Sequence, residues 1–343
     1  MERECGEIRA VRQWRDRLLA LGLPALLLAV LLFSLGVGYY PISPSQLVRA
    51  FFSWFGVQGE ALPQADVILK LRLARVLSAA LIGASLSAAG CVYQGMFRNP
   101  LVSPDILGVS SGAGLGASLA ILAGAANWGV QLAAFLGGGA AVAACCLISR
   151  RSAHSQTLSL VLSGSMVMAL CNAGVTAIKY VANPSDVLPQ ITFWLMGSLT
   201  KTDMEALLWS APPMAAGLAV IFVLRWRINL LTLEEEEARS LGADVGRDRL
   251  IFIAASTLLS ACAVCLGGLI GWVGLMIPHM ARSLAGADYG RLLPVSAGLG
   301  AGYLVLMDDL ARSLLSVELP LGVVTAIVGA PFFVWLILKR KGG

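Results

Sequence analysis

Uncharged apolar stretches close to the length of a bilayer core govern what this chain can fold into. Residues 18–38, LLALGLPALLLAVLLFSLGVG, carry no charge at all, and comparable stretches centre on 76–96, 107–124, 128–148, 157–178, 204–224, 250–271 and 321–338. Crossing the hydrocarbon takes ~20 apolar helical residues. Inside it every backbone polar group must find a partner within the protein, which favours helices. Two further apolar segments, interrupted by charge or glycine, lie within 272–315. The expectation is an all-α polytopic membrane protein of about ten transmembrane helices, with residues 1–343 forming a single transmembrane domain. Composition agrees: 57% of residues are hydrophobic and only 13% charged, roughly half the charge of a soluble chain. The first stretch is longer than a signal-peptide core and has no small-residue cleavage site beside it, so it reads as a retained helix.

The placement of charge then orients the chain. A cytoplasmic tail, 1–17, carries Arg3, Arg9, Arg12, Arg15 and Arg17, and the sequence closes on Lys339, Arg340 and Lys341. The positive-inside rule places both termini in the cytoplasm and calls for an even number of spans. With about ten spans, 18 of the 25 basic residues fall on the inner side. The outer ones are Arg49, Lys70, Arg72, Arg75, Lys179, Lys201 and Arg312. These positive charges are topology markers, and no aromatic-interleaved basic stripe points to nucleic acid.

Helix boundaries are written in the polar interruptions. Ser43-Pro44-Ser45-Gln46 forms a capping box with its proline, and an interfacial amphipathic stretch with Trp54 follows it. In QGMFRNPLVSPDILGVSSGAG, residues 94–114, Asn99-Pro100 stops the second span, and Ser103-Pro104-Asp105 reads as the cap of the third. Ser110, Ser111 and Gly112 give that third helix a small face, suited to close packing or to lining a path. Asn183-Pro184-Ser185-Asp186 opens a half-length segment that ends near Gly197, and Thr202-Asp203-Met204-Glu205 caps the sixth span. The least membrane-like inner segment is RWRINLLTLEEEEARSLGADVGRDR, residues 225–249. Thr232 with Glu235 reads as a capping box, Glu235 and Arg239 are spaced to pair, Gly242 suits a helix stop, and 244–250 reads as a second short helix. Two charged cytoplasmic helices between spans suggest a docking surface for a soluble partner.

Several kinds of chemistry are missing. None of the lysines belongs to a P-loop. His154 and His279 are isolated, and Asp308 and Asp309 fall near a helix end, which leaves little for a proton path. Cys262 and Cys265 form a CxxC inside an apolar helix, better read as packing than as a metal or redox site. A secondary transporter would work without an ATPase, and is the rival class. What remains is a conduit without an engine of its own.

Five blocks carry a specific resemblance: LRLARVLSAALIGASLSAAG, QGMFRNPLVSPDILGVSSGAG, EEEEARSLGADV, GLIGWVGLMIPHMARSLAG and ELPLGVVTAIVGAPFFVWLI. In that order, and over about 40 to 338, the chain resembles the permeases of the iron-siderophore, haem and cobalamin ABC importers. The resemblance implies two permease subunits, here a homodimer, two cytoplasmic ATPase subunits and an external substrate-binding protein, in a bacterial inner membrane and in contact with its lipid. It implies no enzyme activity and no cofactor in this chain, ATP and Mg being bound by the partner ATPase. Ferric siderophore is the expected cargo, with haem, cobalamin or molybdate as alternatives. Arg72 and Arg75, in the RLAR that stands where the family has RLPR, and Arg312 match positions that dock the binding protein. The 230–249 region matches the ATPase-coupling helices, with Thr232, Glu234, Glu235, Glu236, Ala238, Arg239, Leu241 and Gly242 as the contact set. Ser155, Gln156 and Thr157 match a cytoplasmic gate, and Ser110, Ser111, Gly112 and Met166 are candidates to line the path. No metal site is expected.

Overall fold

The computed structural model describes residues 21–38, 45, 63–151, 156–315 and 317–339, so the expectations for the N-terminal tail, the 43–46 capping box, the Trp54 stretch and Ser155 lie outside or largely outside the described residues. The described chain is helical and contains no strand. In chain order its helices are α1 (Leu21–Gly36), α2 (Pro63–Met96), α3 (Val109–Leu122), α4 (Asn127–Arg150), α5 (Gln156–Val181), α6 (Val187–Met196), α7 (Met204–Leu231), α8 (Glu235–Ser240), α9 (Val245–Gly267), α10 (Val273–Ala285), α11 (Tyr289–Ser313) and α12 (Leu321–Lys339). Six of them, α2, α4, α5, α7, α9 and α11, are long and apolar enough to cross a membrane, and α1, α3, α6 and α12 include shorter apolar helices.

The bundle is organised around α2. The apolar window of this helix is 78% buried, against 33% for α4 and α5 and 22% for α7, so α2 is central and the other three face outward. It packs against α11, α9, α7 and α10. The contacts require small residues. A Cβ on Gly83 would run into the carbonyl of Gly300 on α11, and one on Gly90 into the carbonyl of Gly274 on α10. Between these crossings Ser87 Oγ donates to Ser296 O at 2.8 Å. In lipid, where apolar side chains gain little by leaving their surroundings, such backbone approach and interhelical hydrogen bonding hold helices together. Helix α2 starts at Pro63, well before the apolar stretch proper, and its 34 residues span ~50 Å at 1.5 Å per residue.

Contacts between helices also give the relative directions of α1, α2 and α11. Leu23 lies against Gly298 and Leu27 against Gly302, while Ser34 bonds Asp309, so α1 runs parallel to α11. Arg75 meets Asp308 and Ser87 meets Ser296, so α2 runs antiparallel to α11. The start of α1 therefore lies at the same end of the bundle as the start of α11.

The polar corner after α2 departs from its expected form. Ser103 does not cap an α-helix. Pro104–Leu107 is a 3-10 turn, ended by Gly108 in the left-handed region at φ 86°, and α3 starts only at Val109. Ile106 O packs against Gly164 of α5, about two helical turns, ~12 Å, into that helix. The corner thus re-enters the bundle, which explains why α3 needs only 14 residues.

Candidate functional site

At one end of the bundle the chain brings together the three arginines singled out from sequence. Arg75 lies near the start of the α2 span. Its Nε and Nη2 donate to Asp308 on α11 at 2.9–3.0 Å, and its Nη1 donates to both oxygens of Glu318 at 3.0 Å. Arg312, one turn beyond Asp308, pairs with Asp309 and donates to the carbonyl and hydroxyl of Ser34 at 2.6 and 2.7 Å. Ser34 Oγ in turn donates to Asp309 at 2.6 Å. Arg72 reaches across to donate to Leu35 O at 3.0 Å. Three guanidinium groups and three carboxylates thus tie α1, α2, α11 and the loop before α12 into one joint. Arg72, Arg312, Asp308 and Asp309 are buried, and the side chain of Glu318 is 41% exposed. The acids were not assigned to this site from sequence. Their signal was present, because Asp308 and Asp309 stand four and three residues before Arg312, a spacing that pairs side chains on a helix.

Beside this joint, three chain reversals meet backbone to backbone. Gly197 after α6 and Gly268 after α9 both hold positive φ, 73° and 70°. A Cβ on Gly268 would lie 2.6 Å from Trp194 O, and one on Gly322 at the start of α12 would lie 2.6 Å from Met196 O. Ser198 N donates to Gly267 O at 2.8 Å and Leu321 N to Gly197 O at 2.9 Å. The half-length helix α6 has the expected extent, and its C-terminal end is fastened here. At α7 the cap is Asp203, which accepts from Ala206 N at 2.8 Å, while Thr202 bonds Leu266 O instead.

The opposite end carries α8. The expected Thr232–Glu235 capping box does not form: Thr232 ends α7 and gives its hydroxyl to Asn229 O at 2.6 Å, while Glu234 takes the N-cap position without a side-chain bond. Helix α8 has its acids in the first turn, where they suit the positive end of the helix dipole. Glu235 pairs with Arg239 at 2.6 Å, and Gly242, at φ 84°, stops the helix by donating to Arg239 O at 2.9 Å. Ala238 is buried and seats the helix against α7 and α9, whereas Glu234, Glu235, Glu236, Arg239, Leu241 and Gly242 are exposed. The second short helix is not separate. It is the first part of α9, which Asp244 caps by accepting from Arg247 N at 3.1 Å. Nothing between Val245 and Gly267 breaks the turn, so the chain rises directly into the bundle. Arg227 pairs with buried Asp248, and Asn229 Nδ2 donates to Asp288 at 2.9 Å, which fixes α7 to α9 and to the start of α11.

The remaining candidates are dispersed. Gln156 opens α5, and Thr157, next to it, is half-buried. Ser110 and Ser111 turn back onto the corner, bonding Asp105 and Gly108 O. Gly112 does not border open space, because a Cβ there would strike Ala141 and Gly137 of α4, and close packing accounts for it. Met166 is exposed on α5, in line with Leu158, Leu162 and Leu170. Cys265 gives its Sγ to Gln131 O at 3.2 Å, a packing role for half of the CxxC.

Comparison with known proteins places this geometry. Over 94% of this chain and 96% of the other, it is 39% identical to the molybdate import system permease protein MolB of Haemophilus influenzae. It is 41% identical to a probable iron chelatin transport system permease protein of Helicobacter pylori, over 80% of this chain and 83% of the other. Among solved structures, an inward-facing conformation of a metal-chelate type ABC transporter superposes with a TM-score of 0.85 at 39% identity, covering 94% of this chain and 99% of that one. The model of the FecCD transport family matches residues 26–339, and this chain, a helical membrane permease, belongs to that family.

Proposed function

We propose that the chain is the permease subunit of an ATP-driven importer that carries a metal chelate across a bacterial inner membrane. The family match over residues 26–339 carries this reading. The structure supports it with an exposed acidic helix, α8, seated on the ends of α7 and α9. Ten helices, α1 to α5, α7 and α9 to α12, cross the membrane in this reading. The α8 end faces the cytoplasm together with both termini. The excess of arginine around α8 and at Arg98, Arg150 and Arg151 supports that orientation.

Two such permeases, as a homodimer, enclose the path, and two ATPase subunits bind α8 and the adjoining start of α9. Thr232, Glu234, Glu235, Glu236, Ala238, Arg239, Leu241 and Gly242 form the coupling element, in which Leu241 is a large apolar side chain left 61% exposed among charges. Arg72, Arg75 and Arg312 form the docking end for an external binding protein. The residues 155–157 close the inner side. The apolar line from Leu158 to Leu170 on α5, including Met166, faces the partner permease or the path. ATP and Mg belong to the ATPase.

Ferric siderophore is the first cargo, and the probable iron chelatin permease among the relatives supports it. Molybdate is the second, supported by the MolB relative over nearly the whole chain. The test is uptake by proteoliposomes containing this permease, its ATPase and its binding protein. Import of ferric siderophore is expected only with ATP and the ATPase present. Uptake without the ATPase would show a secondary transporter, and ATP-dependent uptake of molybdate alone would transfer the reading to the second cargo.

A further inference from the structure

Arg75 presents two edges with different fates. One edge, Nε and Nη2, is held by Asp308, whose side chain is only 2% exposed. The other, Nη1, points to the surface and is held by Glu318 at 3.0 Å. The same carboxylate accepts from Thr200 Oγ1 at 2.7 Å. Thr200 stands in the loop between α6 and α7, and Glu318 in the loop that leads into α12. One half-exposed carboxylate therefore joins α2 to two of the three chain reversals at this end. An exposed ion pair of this kind contributes little and exchanges easily with another carboxylate, whereas the buried contact with Asp308 holds the arginine in place during the exchange.

We infer that Glu318 is a resident occupant of the docking arginine: a carboxylate of the binding protein takes over Arg75 Nη1, and the displaced Glu318 lets go of Thr200. The inference rests on the docking role given to Arg75 above. The exchange replaces one carboxylate by another, so charge is conserved at Arg75. Its product is release of the α6–α7 loop and the α12 entry, together, from α2. Arrival outside is thereby converted into loosening of the mouth.

The experiment uses the complete importer in lipid nanodiscs and measures affinity for the binding protein and ATP hydrolysis. Glu318→Gln keeps an acceptor for Thr200 but removes the competing charge. It is expected to tighten binding by about two- to fivefold, the scale of one exposed ion pair. Arg75→Ala is expected to weaken binding by about tenfold. Thr200→Val removes in advance a bond that docking must break, so it should tighten binding slightly and raise hydrolysis in the absence of binding protein. If Glu318→Gln binds no more tightly while Arg75→Ala binds less, the occupant role is wrong and the docking role stands. If Arg75→Ala binds normally, the docking role itself is wrong. Unaltered basal hydrolysis in Thr200→Val would remove the release step.

Discussion

At the end of the bundle that holds Arg75, three arginines and three carboxylates are gathered into a largely buried joint, whereas at the end that holds α8 a run of glutamates faces outward from a helix seated by a single alanine. Both ends are rich in charge, and the charge does different work. In the buried joint it fixes the relative position of α1, α2 and α11, because a guanidinium withdrawn from water must keep its partner. Around α8 it is screened and replaceable, which suits a surface that another protein covers. Charge count alone therefore says little about docking: at the joint only the Arg75 Nη1 edge, held by half-exposed Glu318, is open to exchange, whereas most of the charge on α8 is.

The contrast can be broken from either side. Asp309→Ala leaves Arg312 buried without its nearest carboxylate, and a loss of about 3–5 kcal/mol is expected, read as a lower unfolding temperature in detergent. Arg227→Ala strips buried Asp248 at the other end. Because Arg227 is partly exposed, the loss should be smaller, about 1.5–3 kcal/mol, and an effect equal to that of Asp309→Ala would erase the distinction between the ends. Ala238→Asp places a carboxylate in the seat of α8 at a local cost of about 1–3 kcal/mol. Co-purification of the ATPase should fall sharply while the unfolding of the bundle changes less. Smallest of all, Arg239→Ala removes the exposed partner of Glu235, and stability should stay within about 0.5 kcal/mol.

Much of this architecture is legible in the sequence because membrane helices announce themselves by length and apolarity. The extent of α6, the stop at Gly242 and the Glu235–Arg239 pair follow from local chemistry and occur as expected. Two boundaries differ from the local pattern because a second demand, one local and one long-range, falls on the same residues. Thr232 has the right spacing to cap α8, yet it satisfies the carbonyl of Asn229 at the end of α7. Ser103-Pro104-Asp105 carries a helix-start pattern, but the turn is pressed against Gly164 and becomes a 3-10 segment before Gly108 reverses the chain. The commitment of Arg75 to Asp308 and Glu318 joins residues more than 200 positions apart, and no local pattern contains it. The spacing of Asp308 and Asp309 from Arg312, by contrast, was there to be read.

The meeting of three reversals at Gly197, Gly268 and Gly322 limits how this end can move. Where main chain touches main chain, there are no side chains to slide past one another or to change rotamer, so relative displacement would break hydrogen bonds outright. The ends of α6 and α9 and the start of α12 are therefore expected to travel as one rigid piece, with rotation taken up in the longer helices that lead away from it. These contacts favour a swinging block over a ratchet of independent parts.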